Sequence, residues 1–181
     1  MKANETISLI DTDVLAHIRS RSDSKEIYDG LIAMAERGQV KTVRQVFGEL
    51  KKHKEAYKIL KPHEKSFILS TELQYSSHVQ AKLEIVKKEA GHLLQQVGGK
   101  NPDPADPWLI AAASAHSYTL VTDESQASAS KIPAACRLPS LSAKCISGPH
   151  FLIEVGLVVE IKPEHINPHA FFGLGRQETD S

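Results

Sequence analysis

With two cysteines, five phenylalanines, four tyrosines and one tryptophan, this 181-residue chain is poor in both thiols and aromatic rings. Two thiols are too few to staple a small secreted scaffold, and Cys136 and Cys145 lack a metal-binding spacing, so both are expected to be reduced. Net charge is missing too: 22 basic residues balance 22 acidic ones. That argues against coating nucleic acid through general basicity but leaves room for a local basic strip. The longest apolar stretches, around Trp108–Ala113 and Phe151–Ile161 (broken by Glu154), are too short to span a bilayer. The opening residues MKANETISLI contain no long apolar region of the signal-peptide kind. A cytoplasmic protein with no membrane association is therefore expected.

Several catalytic signatures are absent as well. There is no P-loop and no Gly-rich dinucleotide turn. Ser114, Ser117 and the serines of Ser125–Ser130 have no base arranged as in a nucleophile elbow. Nine histidines invite a metal hypothesis, but Pro168 between His165 and His169 disfavours a regular helical ligand pair. Both read as tail residues.

What remains is a chain with 41% hydrophobic residues, enough for one folded domain and too short for a comfortable second core. Ile7–Ile10 reads as a short buried strand ending at Asp11-Thr12-Asp13. A helix is predicted over Glu26–Arg37, with Asp23 and Glu26 at capping-box spacing and Gly38 as its stop. Val40–Val43 suggests a second strand leading into a helix that carries Val43, Val46, Phe47 and Leu50. Helical spacing runs from Ser76 to Val97, ended by Gly98-Gly99. The polar turn Lys100–Ala105 precedes Asp106-Pro107 and the alanine-rich helix Trp108–His116. Thr119–Thr122 and Ser142–Ile146 read as strands, and Pro149 opens a last helix through Val155. Alternating strands and helices imply a parallel sheet covered on both faces. Residues 157–181 read as an extension, with one possible strand, Leu157–Ile161, and Phe171-Phe172 as a tail anchor.

In an open parallel sheet, ligands sit outside the carboxyl ends of the strands. Asp11 and the pair Asp123-Glu124 lie at two such ends, where a partly desolvated carboxylate needs a cation or backbone donors. A turn-forming Asp is the plain alternative at each. Asp106-Pro107 suits a helix start, Asp as N-cap and Pro as first residue, and the helix end would hold that carboxylate ionised. Asp103, in the turn before it, is a weaker candidate. Glu49 borders the apolar stripe of its helix, where a surface pairing with Lys52 or His53 is the ordinary reading.

Taken together, four blocks resemble the PIN-domain nucleases, including the VapC-like toxins. They are Leu9-Ile10-Asp11-Thr12-Asp13-Val14-Leu15, then Val46-Phe47-Gly48-Glu49-Leu50, then Asp106-Pro107-Trp108-Leu109-Ile110-Ala111-Ala112-Ala113, and Leu120-Val121-Thr122-Asp123-Glu124. No block is specific alone; four in order, across roughly residues 6–156, are fairly specific. Lys131-Ile132-Pro133 through Cys136, followed by Ser142–Ile146 and a closing helix, also looks like an uncharacterised PIN-like subgroup. The resemblance implies a PIN-like α/β/α sandwich with a central, mostly parallel sheet over residues 1–156, with 157–181 as an extension.

It also implies Asp11, Glu49, Asp106 and Glu124 as the catalytic set, binding Mg²⁺ or Mn²⁺. Where the family writes Thr-x-Asp this chain has Thr122-Asp123-Glu124, so either Asp123 or Glu124 is the fourth metal ligand. Thr12, Asp13 and Thr122 stand next to the ligands and would hold them in place. Hard oxygen ligands suit these ions, which activate water and steady a leaving oxygen in phosphodiester hydrolysis. Lys51, Lys52, Lys54, Lys58 and Lys61 could contact RNA phosphates, although a solvated helical face is the plainer reading; aromatics for stacking are sparse, with Tyr57 nearby.

The implied function is a metal-dependent endoribonuclease, the toxin of a type II toxin–antitoxin pair, with an antitoxin partner and a homodimeric state. A haloacid-dehalogenase-type phosphatase is the rival, because Asp11-Thr12-Asp13 resembles its nucleophile motif. It departs at Leu15 and leaves Glu49 and Asp106 without a role. A PIN-like module that binds partners without catalysis is the third reading.

Overall fold

The structure is a computed structural model that describes residues 6–92, 103–127 and 131–159. The chain runs β1 (Ser8–Ile10), α1 (Thr12–His17), α2 (Ser24–Glu36), β2 (Val40–Lys41), α3 (Arg44–Leu50) and α4 (Lys54–Leu60). It continues with α5 (Glu64–Phe67), α6 (Thr71–Gln74), α7 (Ser77–Ile85), α8 (Ala105–His116), β3 (Thr119–Thr122), α9 (Ile132–Cys136), β4 (Lys144–Ser147) and α10 (Gly148–Glu154). The fold is α/β, with a four-stranded, all-parallel sheet flanked by helices, in the order β2-β1-β3-β4. Among the described residues no helix is long and apolar enough to cross a membrane.

Strand order sets where a site can form. The chain leaves β1 for β2 on one side and later returns to place β3 on the other. Connections departing in opposite directions open a crevice at the carboxyl ends of β1 and β3. Register carries this through: Ile10 lies beside Val121, and the Asp11 amide still donates to the Val121 carbonyl at 3.0 Å. Leu9, Ile10, Leu120 and Val121 are fully buried, as expected of strands covered on both faces. Beyond β2, Thr42 bridges to Ile68, so this edge is covered by chain rather than left open.

Local chemistry explains the element ends, and in several places it departs from expectation. Asp11 begins α1, accepting from the Thr12 amide at 2.6 Å, so a short helix stands where the sequence suggested only a strand end. Val14, Leu15 and Ile18 form its buried stripe. At α2 the expected capping box is not made. The Asp23 side chain does not cap the helix; it pairs with Arg21 at 2.8 Å through both carboxylate oxygens. Gly38 does end that helix, at φ +79, a conformation costly for residues with a Cβ. The helix expected over Ser76–Val97 is α7 followed by a π-helical stretch, Val86–Ala90. Its predicted end at Gly98-Gly99 lies outside the described residues, as do His165, His169, Phe171 and Phe172.

Leu157–Val159 form no strand. Leu157 instead packs on α2 at Gly30, where a Cβ would come within 2.2 Å of its methyl group. Cys136 and Cys145 are free thiols.

Helix α8 supplies the tightest packing, since Leu109 through Ala113 are all fully buried. Alanine here lets the helix backbone approach its neighbours closely, and a larger side chain has nowhere to go. Ala112→Leu should lower stability by about 1–3 kcal/mol, read as a shift in the urea unfolding midpoint. An unchanged midpoint would show that this face tolerates a wider spacing.

Candidate metal centre

The crevice at the ends of β1 and β3 gathers acids from four separate parts of the chain. Asp11 is its buried member, only 4% exposed. Its Oδ1 accepts from the Thr12 amide at 2.6 Å and its Oδ2 from the Thr122 hydroxyl at 3.0 Å. The latter bond joins the ends of β1 and β3, and the Thr122 oxygen in turn accepts from the Glu124 amide at 3.2 Å.

Glu49 comes from α3. Its Oε2 accepts from the Thr12 hydroxyl at 2.7 Å and its Oε1 from the Ala105 amide at 3.0 Å. Glu49 therefore serves the start of α8, whose N-cap Pro104 has no side chain able to do so. The sequence had suggested Asp106 for that place, with Pro107 as first helical residue. In fact α8 begins at Ala105, so Asp106 sits inside the first turn. From there its charge adds to those of Asp11, Glu49, Asp13 and Glu124.

Asp123 and Glu124 part company. Thr122 meets Asp11, Asp123 turns away, and Glu124 returns to the acids. Asp123 Oδ2 meets His17 Nδ1 at 2.8 Å, and its buried Oδ1 has no hydrogen-bond partner among the described residues. That oxygen faces Gly148, where a Cβ would come within 2.3 Å. Glu124 accepts from the Ile132 amide at 2.6 Å and lies 3.3 Å from Lys131 Nζ. Of the two, Glu124 stands with Asp11 and Asp106, while Asp123 sits between α1 and α10. Asp13 is exposed beside the cluster.

Electrostatics follow from this crowding. Burial, then the charges of Asp106 and Asp13, raise the Asp11 pKa well above its ordinary value. Asp106 is pushed up to about 7, by burial first and then by Glu124, Glu49 and Asp13, with Lys131 opposing. Concentrated negative charge wants a cation, and all of these side chains offer hard oxygens suited to magnesium or manganese. Among the described residues, no three His, Cys, Asp or Glu side chains are grouped to hold a metal ion as they stand. Asp11, Glu49 and Glu124 each accept instead from a protein donor.

Asp103, the weaker candidate in the turn before α8, is well anchored: it accepts from Gln45 Nε2 at 2.8 Å and from the Trp108 indole at 2.7 Å. No role was expected of His17, which meets Asp123, and Lys131, named only within the Lys131-Ile132-Pro133 block, stands next to Glu124. His17 lies one turn after Asp13, and the apolar spacing of Val14, Leu15 and Ile18 behind Asp11 was the available signal. Lys51, Lys52, Lys54 and Lys58 are exposed, at the end of α3 and along α4.

An acid whose folded-state pKa exceeds its unfolded value holds its proton more tightly when folded. The contribution of Asp106 to stability is therefore full below its ordinary value of 3.8 and is lost as pH rises through about 7. Asp106→Asn removes this titration. In metal-free buffer it should flatten the decline of Tm between about pH 4 and about pH 7 and raise Tm above that range by several degrees. A pH profile matching that of the wild type would show that the acids do not crowd.

A family model described as a domain of unknown function (DUF4411) matches residues 9–157, a span that includes every acid of this cluster. Comparison with curated proteins and with solved structures gave no match. With the match running from β1 to just past α10, the chain belongs to the DUF4411 family.

Proposed function

We propose that this protein is a divalent-metal-dependent endoribonuclease of PIN-like type. The observation that carries this reading is the buried Asp11 carboxylate with Asp106, Glu49 and Glu124 brought around it at the sheet's carboxyl edge. Asp11, Asp106, Glu49 and Glu124 would hold Mg²⁺ or Mn²⁺, with Asp13 at the rim. Such an ion supplies Lewis acidity to a water and to the leaving oxygen of a phosphodiester.

The chain's own groups do the positioning. The Thr122 hydroxyl and the Thr12 amide hold the two oxygens of Asp11, while Thr12 Oγ1 and the Ala105 amide hold Glu49. Lys131 offsets part of the charge beside Glu124. The gathering of Glu49 and Asp106 around Asp11 favours a nuclease over a phosphatase using Asp11 as nucleophile, which gives neither residue a task. Within this reading the protein is the toxin of a type II toxin–antitoxin pair, works as a homodimer and is restrained by an antitoxin protein.

Purified protein incubated with end-labelled single-stranded RNA should cleave it with Mg²⁺ or Mn²⁺ and not with EDTA. Asp11→Asn and Asp106→Asn should lose the activity. Thr122→Val should slow it about 10–100-fold, and Asp123→Asn should leave most of it. Hydrolysis of a small phosphate ester with phosphorylation of Asp11 would overturn the proposal in favour of a phosphatase. Absence of both activities, with no thermal stabilisation by either metal, would leave a binding module.

A further inference from the structure

The aromatic residues are few, yet the fold brings two of them together beside the acids. Tyr75, at the end of α6, meets Trp108, in α8, with ring centroids 5.3 Å apart and planes at 77°. In an edge-to-face pair, neither ring is stacked flat on the other, so ring faces remain for a third partner. Tyr75 is 39% exposed and its neighbour Leu73 38%, high for large apolar side chains.

Short contacts tie this pair to the acidic crevice. The Trp108 indole donates to Asp103 at 2.7 Å, and Asp103 accepts from Gln45 at 2.8 Å. Gln45 lies four residues before Glu49 on α3, hence on the same helix face. Asp106 is two residues before Trp108 on α8.

Four residues before Tyr75, at the start of α6, Thr71 lines a cavity that also carries cationic side chains. Gln74, next to Tyr75, accepts from the Arg44 amide at 3.1 Å and donates to Gln45 at 2.9 Å. Arg44, Lys65, Ser70 and Thr71 line a cavity of about 370 Å³, together with Glu64, whose charge is engaged by Lys61. Thr71 opens α6 and Tyr75 directly follows it, a separation of about 6 Å along the helix axis. That length is comparable to the reach of one nucleotide from base to phosphate. Two cationic side chains and two hydroxyls offer what a phosphate and sugar need, and an exposed ring offers what an unpaired base needs.

We infer that Tyr75 and Trp108 form a stacking site for an unpaired base of single-stranded nucleic acid, whose backbone enters the Arg44–Lys65 cavity. The inference deepens the nuclease reading and rests on it for the identity of the polymer. It also answers the acidic crevice, which repels a polyanion. Affinity would come from stacking and from these cations at one remove from the acids, apart from Lys51, Lys52, Lys54 and Lys58.

Trp108 is the chain's only tryptophan, so its emission reports this site alone. The full chain in EDTA is titrated with a short oligouridylate and with the same sugar–phosphate strand lacking bases. The base-bearing strand should quench emission saturably; the abasic strand should bind more weakly and leave emission nearly unchanged. By anisotropy of a labelled strand, Tyr75→Ala should weaken binding about tenfold, and Tyr75→Phe, which keeps the ring, should restore it. Arg44→Ala should weaken binding severalfold and reduce the salt dependence by about one phosphate contact.

Equal quenching by both strands, or unchanged affinity in Tyr75→Ala, overturns the stacking site. Absence of any oligonucleotide response also overturns it, and leaves the Leu73–Tyr75 edge to a protein partner. Should Tyr75→Ala fail to fold, the comparison of the two strands on the wild-type chain decides alone. RNA cleavage with KM unchanged in Tyr75→Ala and Arg44→Ala would sink this inference and spare the nuclease. Base-dependent quenching without cleavage would do the reverse.

Discussion

A carboxylate taken out of water at the end of a central strand constrains everything around it. Asp11 is buried by its position after Ile10, between β2 and β3, and two donors are supplied to it: the first amide of α1 and the hydroxyl of Thr122. Those bonds compensate part of the desolvation cost and fix the carboxylate's direction. They do not neutralise it. The neighbouring charges of Asp106, Asp13 and Glu124 raise the cost further. The raised pKa values of Asp11 and Asp106 follow from burial and from this crowding.

The scaffold meets this demand with donors drawn from other elements. α8 starts on a proline that cannot cap it, and Glu49 reaches from α3 to do so. That contact closes the crevice and aligns the first turn of α8, where Asp106 sits. One turn away on α3, Gln45 repeats the device with Asp103, which also receives the Trp108 indole. Both ends of this interface are thus pinned by polar bonds between α3 and the entry to α8. Buried polar groups placed in this way specify one arrangement of helices where apolar packing alone would allow sliding.

Much of this was legible beforehand, for reasons that can be named. Apolar strands followed by acids, Gly38 at a helix end and the alanine run of α8 are local signals, read from nearest neighbours. What failed was also local in appearance but decided at a distance. Asp23 had capping-box spacing, yet Arg21 offered a charge-assisted pairing and took the carboxylate. Asp106 stood at an apparent N-cap, yet Glu49 supplied the helix start from elsewhere in the chain. α1 went unseen because six residues show little more than one turn of periodicity. The long apolar pattern after Ser76 is helical, but its register shifts into a π-helical stretch that a 3.6-residue period does not reveal.

Residue identity by itself determined that this is an α/β chain with acids at strand ends, because burial of apolar runs and the preference of ligands for strand ends need no partner to be known. Tertiary structure decided which acids meet. Asp123 meets His17 while the charge of Glu124 bears on Asp106, a parting set by where the chain turns after Thr122. Tertiary structure alone decided the pairing of Tyr75 with Trp108, since residues 33 positions apart come together only when α6 and α8 pack. Side-chain types set what chemistry is available; the sheet's strand order and the helix starts set which of it shares a site.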